Sequence, residues 1–301
     1  MRLVLAAFLL ASCTWAGIVQ DVRTALARND FTGSDQYVQA YRRARGATSE
    51  LAEAISWQAR GALDNRNPDR AAAYAQETRK LALPKLIGPR ADREQWLYAL
   101  GASIEVQAQI MAARGETAEA VLFLRNELKT YGATSLRERI QKNLNLLSLE
   151  GKPAPTLDSA IWVGPQPPSM ASLRGKAVLL FFWAHWCPDC KAIAPYIAAV
   201  MKRYGPQGLV LIGPTKYYGY VANGNDAPPA IEKPYIESIR RQMYAPLFDF
   251  SAPLSDANFS RYGASTTPTL VLVDRKGIVR WYHPGAPRGP DLVSQIEKVL
   301  R

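Results

Sequence analysis

Two patterns of apolar positions divide the chain. From about residue 19 to 150, apolar side chains recur every three or four positions, as they do on the buried face of an amphipathic helix. Beyond residue 151, short continuous apolar runs alternate with helical segments, which is typical of buried strands in a sheet. The sequence therefore predicts an all-α domain followed by an α/β domain.

The first half is predicted to form helical hairpins. Asn67 before Pro68 places a capping side chain ahead of a proline in the first turn, and Ser135-x-x-Glu138 has the pattern of a capping box. Pairs of such helices resemble a tetratricopeptide (TPR-like) stack, although the spacing of matching positions is irregular. The predicted helices are 19–29, 34–44, 48–63, 68–82, 92–113, 116–130 and 135–148.

Glycine and two prolines at 151–155 end the helical pattern and predict a domain boundary. We expect a helical domain at 19–150 and a second domain at 151–301, the latter a central mixed sheet flanked by helices. A turn at Gly277 predicts that the last two strands form an antiparallel hairpin. The predicted elements are strands at 177–184, 209–213, 269–273 and 278–283, and helices at 231–244 and 289–300.

The first 18 residues have the pattern of an export signal. Arg2 supplies a positive charge, and the apolar run at 3–11 is too short to span a membrane. The residues Leu10 to Cys13 resemble a lipoprotein cleavage site, whereas Thr14 to Ala16 fit ordinary secretion. Three alternatives follow: a periplasmic lipoprotein anchored at Cys13, a secreted protein, or a leader that is retained as an anchor or starts at the wrong codon.

Composition narrows the function classes. The chain has 301 residues, 48% of them hydrophobic, and contains no apolar run of the 18 residues that a membrane span needs. Its 37 Lys and Arg against 26 Asp and Glu give a net charge of +11. These basic residues are spread along the chain, so we expect no nucleic-acid partner.

Cys187-Pro188-Asp189-Cys190 follows a predicted buried strand and opens a predicted helix. A helix N-terminus carries about half a positive charge, which stabilises Cys187 as a thiolate and makes it the nucleophile. Cys190, one turn later, would resolve the mixed disulfide that forms. A structural zinc site needs a second pair of Cys or His ligands, and beyond the leader the chain offers only His185 and His283. We therefore expect no metal site.

The residues from Phe182 to Lys191 and the Ile193-Ala194-Pro195 that follows are similar to the strand, active-site loop and kinked helix of the thioredoxin superfamily. Thr267 and Pro268, just before an apolar strand, resemble that family's loop in which a cis-proline packs against the two cysteines. The resemblance covers 151–301 and implies a thioredoxin fold with a redox-active disulfide between Cys187 and Cys190.

Within that superfamily, the segment 151–155, the Leu173-Arg174-Gly175-Lys176 before the first core strand and the insertion at 213–262 resemble the TlpA/ResA group. This resemblance implies an extracytoplasmic thiol-disulfide oxidoreductase that reduces protein disulfides, needs no dissociable cofactor and is recharged by a membrane thiol donor. Trp186, Pro188 and Asp189 are the expected neighbours of the cysteines, and Trp186 would shelter a docked peptide.

Two positions depart from the pattern of the family. Phe181 stands six residues before Cys187, where thioredoxins bury an acid, and Ile193 replaces the glutamate of the ResA type. Deprotonation of Cys190 would then fall to water, Asp189, His185 or Lys191. His185 is expected to be a solvated loop histidine without a role.

The alternative function is a binding protein. In that reading the helical domain contacts a protein partner and the thioredoxin-like domain serves for docking or for metal delivery of the metallochaperone type. Copper chaperones of this fold use Cys-x₃-Cys, whereas the spacing here is Cys-x₂-Cys. Even if the chain is an enzyme, the helical half has neither cysteine nor histidine, so we expect it to bind a protein partner or a second copy of itself.

Overall fold

The computed structural model describes residues 17–89, 91–169, 171–287 and 291–301. The predicted leader, with Cys13, lies outside these residues except for its last two positions. Packing separates the chain into two units, the first ending at Ile110 and the second running from Met111 to Arg301. Within the described residues, no helix combines the length and the apolar character needed to cross a bilayer.

The first unit is helical, as predicted. Asn67 caps its fourth helix by accepting a hydrogen bond from the backbone N–H of Arg70 at 3.1 Å. Small side chains, among them Ala59 and Ala71, are fully buried between the third and fourth helices and allow the two to pack closely. Its helices are α1 (Ile18–Ala27), α2 (Phe31–Arg45), α3 (Ser49–Asp64), α4 (Pro68–Ala82) and α5 (Arg93–Ala113), which ends just past the boundary.

The second unit contains a helical hairpin and then strands that alternate with helices. The hairpin is α6 (Thr117–Tyr131) and α7 (Arg137–Ser148). The remaining elements are β1 (Trp162–Val163), β2 (Ala177–Phe182), α8 (Pro188–Ala192), α9 (Ala194–Tyr204), β3 (Leu209–Ile212), α10 (Pro229–Met243), β4 (Ala252–Pro253), α11 (Asp256–Tyr262), β5 (Thr269–Val273), β6 (Val279–Pro284) and α12 (Asp291–Leu300).

Four of these strands form the predicted mixed sheet, in the order β3-β2-β5-β6. β2 is parallel to β3, whereas β5 is antiparallel to both of its neighbours. Every residue of β2 is buried, and alternate side chains enter two separate apolar clusters. Helices cover both faces, because Leu179 and Phe181 share a cluster with residues of α9 and α12, while Leu180 and Phe182 share one with residues of α11. The predicted fold class is confirmed.

The second unit begins 40 residues before the predicted boundary at 150 and 151. The physical reason is the packing of α7 against α11. A Cβ at Gly263, the residue that ends α11, would lie 2.6 Å from the carbonyl carbon of Gln141, so the two backbones touch there. Asn145 also donates a side-chain hydrogen bond to the carbonyl of Arg261 at 3.4 Å.

Candidate active site

The two cysteines lie where β2 leaves the sheet and α8 begins. Cys187 is the N-cap of α8, and its sulfur accepts a hydrogen bond from the backbone N–H of Cys190 at 3.0 Å. Pro188 occupies the first turn, where the missing N–H costs no hydrogen bond. The helix is interrupted at Ile193 and continues as α9. Cys187 and Cys190 form a disulfide, with their Cα atoms 5.3 Å apart.

The disulfide is covered, but its neighbours in the sequence are open to solvent. Cys187 is 1% exposed and Cys190 is fully buried. Trp186 is 45% exposed, and Pro188 and Asp189 are also exposed. A polypeptide that approaches Cys187 would therefore meet these three side chains first.

The loop before β5 lies directly beside the first cysteine. The peptide bond between Thr267 and Pro268 is cis, and the carbonyl oxygen of Thr267 is 3.4 Å from the sulfur of Cys187. Pro268 is anchored in turn, because its own carbonyl accepts a hydrogen bond from the backbone N–H of Gly285 at 2.7 Å. The structure thus brings Thr267 and Pro268 to the cysteine pair.

The active-site loop is tied to the end of β3 through Trp183, which is buried. Its indole N–H donates to the carbonyl of Gly213 at 2.9 Å, and its own carbonyl accepts from the hydroxyl of Thr215 at 2.9 Å. The backbone N–H of Trp183 also donates to the carbonyl of Pro214 at 3.2 Å. Three hydrogen bonds therefore fix the direction in which the loop leaves the sheet.

His185 is not the solvated loop histidine that the sequence suggested. Its side chain is 1% exposed, and its Nε2 atom lies 3.3 Å from a carboxylate oxygen of Glu232, which is fully buried. The N–H is not aligned for a hydrogen bond, so the contact is electrostatic. Glu232 stands in the first turn of α10 and accepts the backbone N–H groups of Tyr218 at 2.6 Å and of Gly219 at 2.9 Å.

Aromatic rings enclose this pair. The rings of Tyr218, Tyr220 and Tyr235 meet the imidazole of His185 edge-on, with centroids 5.3 to 5.5 Å away. Trp186 contacts the ring of Tyr218 at 5.5 Å, so the cluster reaches the exposed surface. Burial lowers the pKa of His185 and raises that of Tyr218 well above its ordinary value, while Glu232 opposes the shift of His185.

The other candidate proton acceptors are less enclosed. Asp189 is exposed and Lys191 is half-buried. Phe181, which stands at the position of the buried acid of thioredoxins, packs edge-on against Tyr244 and Phe250 in the core. Sequence reasoning missed Glu232, for which the available signal was an acid near the start of the predicted helix 231–244. Among the described residues, no cluster of three or more His, Cys, Asp or Glu is placed to hold a metal ion.

Comparison with known proteins matches residues 149–300 to the Redoxin family model. The protein DipZ of Mycobacterium tuberculosis is 31% identical over 151 residues, which cover 44% of this chain but 22% of DipZ. The thiol-disulfide oxidoreductase ResA of Geobacillus thermodenitrificans is 25% identical over 134 residues, covering 43% of this chain and 67% of ResA.

Another relative and a solved structure cover a similar share of this chain. The thiol:disulfide interchange protein DsbE of Yersinia pestis is 28% identical over 140 residues, covering 46% of this chain and 65% of DsbE. A crystal structure of a thiol:disulfide interchange protein of the thioredoxin family from Chlorobium tepidum has 22% identity and a TM-score of 0.40. It covers 50% of this chain and 98% of the other.

Proposed function

The chain belongs to the Redoxin family, and we propose that it is a thiol-disulfide oxidoreductase that reduces disulfides in exported proteins through Cys187 and Cys190. One observation carries the proposal: a disulfide between these residues at the start of a helix, beside the carbonyl of Thr267. Trp186, Pro188, Asp189 and Thr267 form the surface that a substrate disulfide meets, and the buried Pro268 lies next to Thr267 beneath it.

The reaction begins with the reduced protein. The start of α8 carries a partial positive charge, and the N–H of Cys190 points at the sulfur of Cys187, so both favour the thiolate of Cys187. This thiolate attacks one sulfur of the substrate disulfide, forms a mixed disulfide and expels the other sulfur as a thiolate.

Resolution then returns the protein to the state seen in the structure. Cys190 loses its proton and attacks the sulfur of Cys187, which forms the intramolecular disulfide and releases the second substrate thiolate. Two electrons have passed from the protein to the substrate, and the two released thiolates take up the two protons. A dithiol donor at the membrane must supply two electrons and two protons before the next cycle.

The cellular location and the partners of the protein are proposed from its sequence. Residues 1–18 support export to the periplasm, either as a lipoprotein anchored at Cys13 or as a secreted protein. The helices before residue 150 are proposed to contact a protein partner, in a TPR-like manner. No dissociable cofactor enters the proposed reaction, because the two sulfurs carry the electrons.

Replacing Cys190 by serine tests the proposal. The Cys190→Ser variant should retain mixed disulfides, because its Cys187 attacks substrates but nothing resolves the product. Mass spectrometry of adducts captured from exported proteins, and lost on treatment with a reductant, is the readout. The Cys187→Ser variant is the matched control and should capture none; equal capture by both variants, or none by either, would refute the assignment.

A further inference from the structure

A carboxylate and an imidazole are buried together beside the redox-active loop. The side chains of Glu232 and His185 are at most 1% exposed. Burial of ionisable groups costs free energy unless they are paired and hydrogen-bonded. The fold meets that cost with two backbone N–H groups and the contact to His185, which together satisfy both carboxylate oxygens. Such an arrangement holds an ionised carboxylate in place.

The pair is also close to the reacting sulfur along the chain. His185 precedes Cys187 by two residues, so their Cα atoms are no more than about 7 Å apart. The backbone N–H of Cys187 donates to the carbonyl of Ala184 at 3.1 Å, which closes the turn that contains His185. Trp186, between His185 and Cys187, contacts the ring of Tyr218, whose backbone N–H donates to Glu232. By Coulomb's law, a unit charge within about 10 Å of an ionisable group changes its ionisation equilibrium several-fold at an effective dielectric constant of about 40.

We propose that Glu232 is a positioning residue for the proposed redox reaction: its buried negative charge disfavours the thiolate of Cys187, and a proton on His185 cancels that charge. The inference rests on the proposed function. A disfavoured thiolate destabilises the reduced protein, which makes the protein a better electron donor. The insertion that carries Glu232 would thus shift the reduction potential toward electron donation.

The groups that face His185 fix the sign of the pH dependence. Glu232 favours the imidazolium, while burial and the positive charge of Lys191 disfavour it, and the net effect lowers the pKa of His185 below its ordinary value of 6.5. Burial raises the pKa of Tyr218 and Tyr220, so both are neutral in the relevant range. Tyr235 adds its ring edge to the same enclosure. At neutral pH the pair therefore carries one negative charge, and in acid it carries none.

The first experiment titrates the thiolate of Cys187 by its ultraviolet absorbance in the reduced protein, with Cys13→Ser in every sample so that the pair at 187 and 190 holds the only thiols. Glu232→Gln should increase the acid dissociation constant of Cys187 about fivefold. Lys233→Gln, which alters an exposed position one residue along the same helix, is the matched control and should leave that constant unchanged. Glu232→Asp keeps the charge and should stay closer to the wild type than Glu232→Gln does.

The second experiment does not depend on the folding of Glu232→Gln. The rate at which iodoacetamide alkylates Cys187 reports the thiolate fraction, and it is compared between wild type and His185→Gln from pH 5 to 8. The two rates should agree at pH 8. As the pH falls below 6.5, wild type should become up to about fivefold faster, because only its histidine can neutralise Glu232.

The possible results distinguish a failure of the proposed redox function from a failure of the role assigned to Glu232. If wild type does not exchange its disulfide with glutathione at all, the proposed function fails. If it exchanges normally, but a folded Glu232→Gln has the wild-type dissociation constant, the inference fails. If Glu232→Gln does not fold by circular dichroism, the pH profiles decide, and a constant ratio of rates between wild type and His185→Gln overturns the inference.

Discussion

Residues 111–150 are expected to be needed for a stable catalytic unit, which makes two truncations informative. One variant starts at Met111, where the packing boundary lies, and the other at Gly151, where the helical sequence pattern ends. The first should fold and reduce insulin disulfides. The second should be much less stable, because it loses every contact that α7 and the residues after it make with the sheet and α11.

The size of the loss follows from three contacts. Leu149 is buried in the cluster on one face of the sheet, and such burial contributes about 2 kcal/mol. Glu138 accepts a hydrogen bond from Lys216 at 2.7 Å in a partly buried pair, and Glu150 accepts the backbone N–H of Tyr282 at 3.0 Å. Hydrogen bonds to charged groups contribute about 1.5 kcal/mol each at the low end, so the sum is about 5 kcal/mol.

Urea unfolding of both fragments measures this difference. With a typical dependence of about 2 kcal/mol per molar urea, a loss of 5 kcal/mol lowers the midpoint by about 2.5 M. A loss of that size equals the lower end of typical domain stability, so insulin reduction should also fall. The reasoning would be refuted if 151–301 unfolded at the same urea concentration as 111–301 and reduced insulin equally fast.

Three further substitutions have defined outcomes. Asp189→Asn removes an exposed negative charge near Cys187 and should raise the reduction potential by at most about 25 mV in a glutathione equilibrium; a lower potential would contradict the electrostatic argument. Trp186→Ala should raise the KM for a peptide disulfide with little change in potential, and an unchanged KM would rule out a contact with substrate. Gly263→Ala should destabilise by more than 1 kcal/mol, lowering the melting temperature by at least about 2 °C, because φ is +61° and the new Cβ would meet the backbone of α7; an unchanged melting temperature would show that α7 can move away.

Periodicity located α1 to α7, α10, α12 and the strands of the four-stranded sheet to within a few residues, whereas α11 was not predicted. The apolar spacing at 68–82 and the Asn67 cap predicted α4 without error at either end. The prediction that Ser135 caps α7 was wrong. α7 begins at Arg137, and the hydroxyl of Thr134 accepts the N–H of Leu136. The pairing of β1 with β4 was missed, because two-residue strands are too short to show an alternation.

The sequence did not predict which elements that are distant along the chain pack against each other. The pattern of α7 shows an apolar face but not that α11 covers it, so the packing boundary at Met111 was not foreseen. His185 and Glu232 are separated by 47 residues, and nothing local to either position indicates that the insertion folds back over the loop. The cysteine pair was found because its chemistry needs only four consecutive residues at a helix start.

The most direct measurement of the central claim is stoichiometric reduction of insulin by the pre-reduced protein, without any added dithiol. Wild type should reduce one insulin disulfide per molecule and end with Cys187 and Cys190 joined, as in the structure. Cys187→Ser should reduce none. Insulin reduction by Cys187→Ser, or wild type left as a free dithiol beside intact insulin disulfides, would contradict the account.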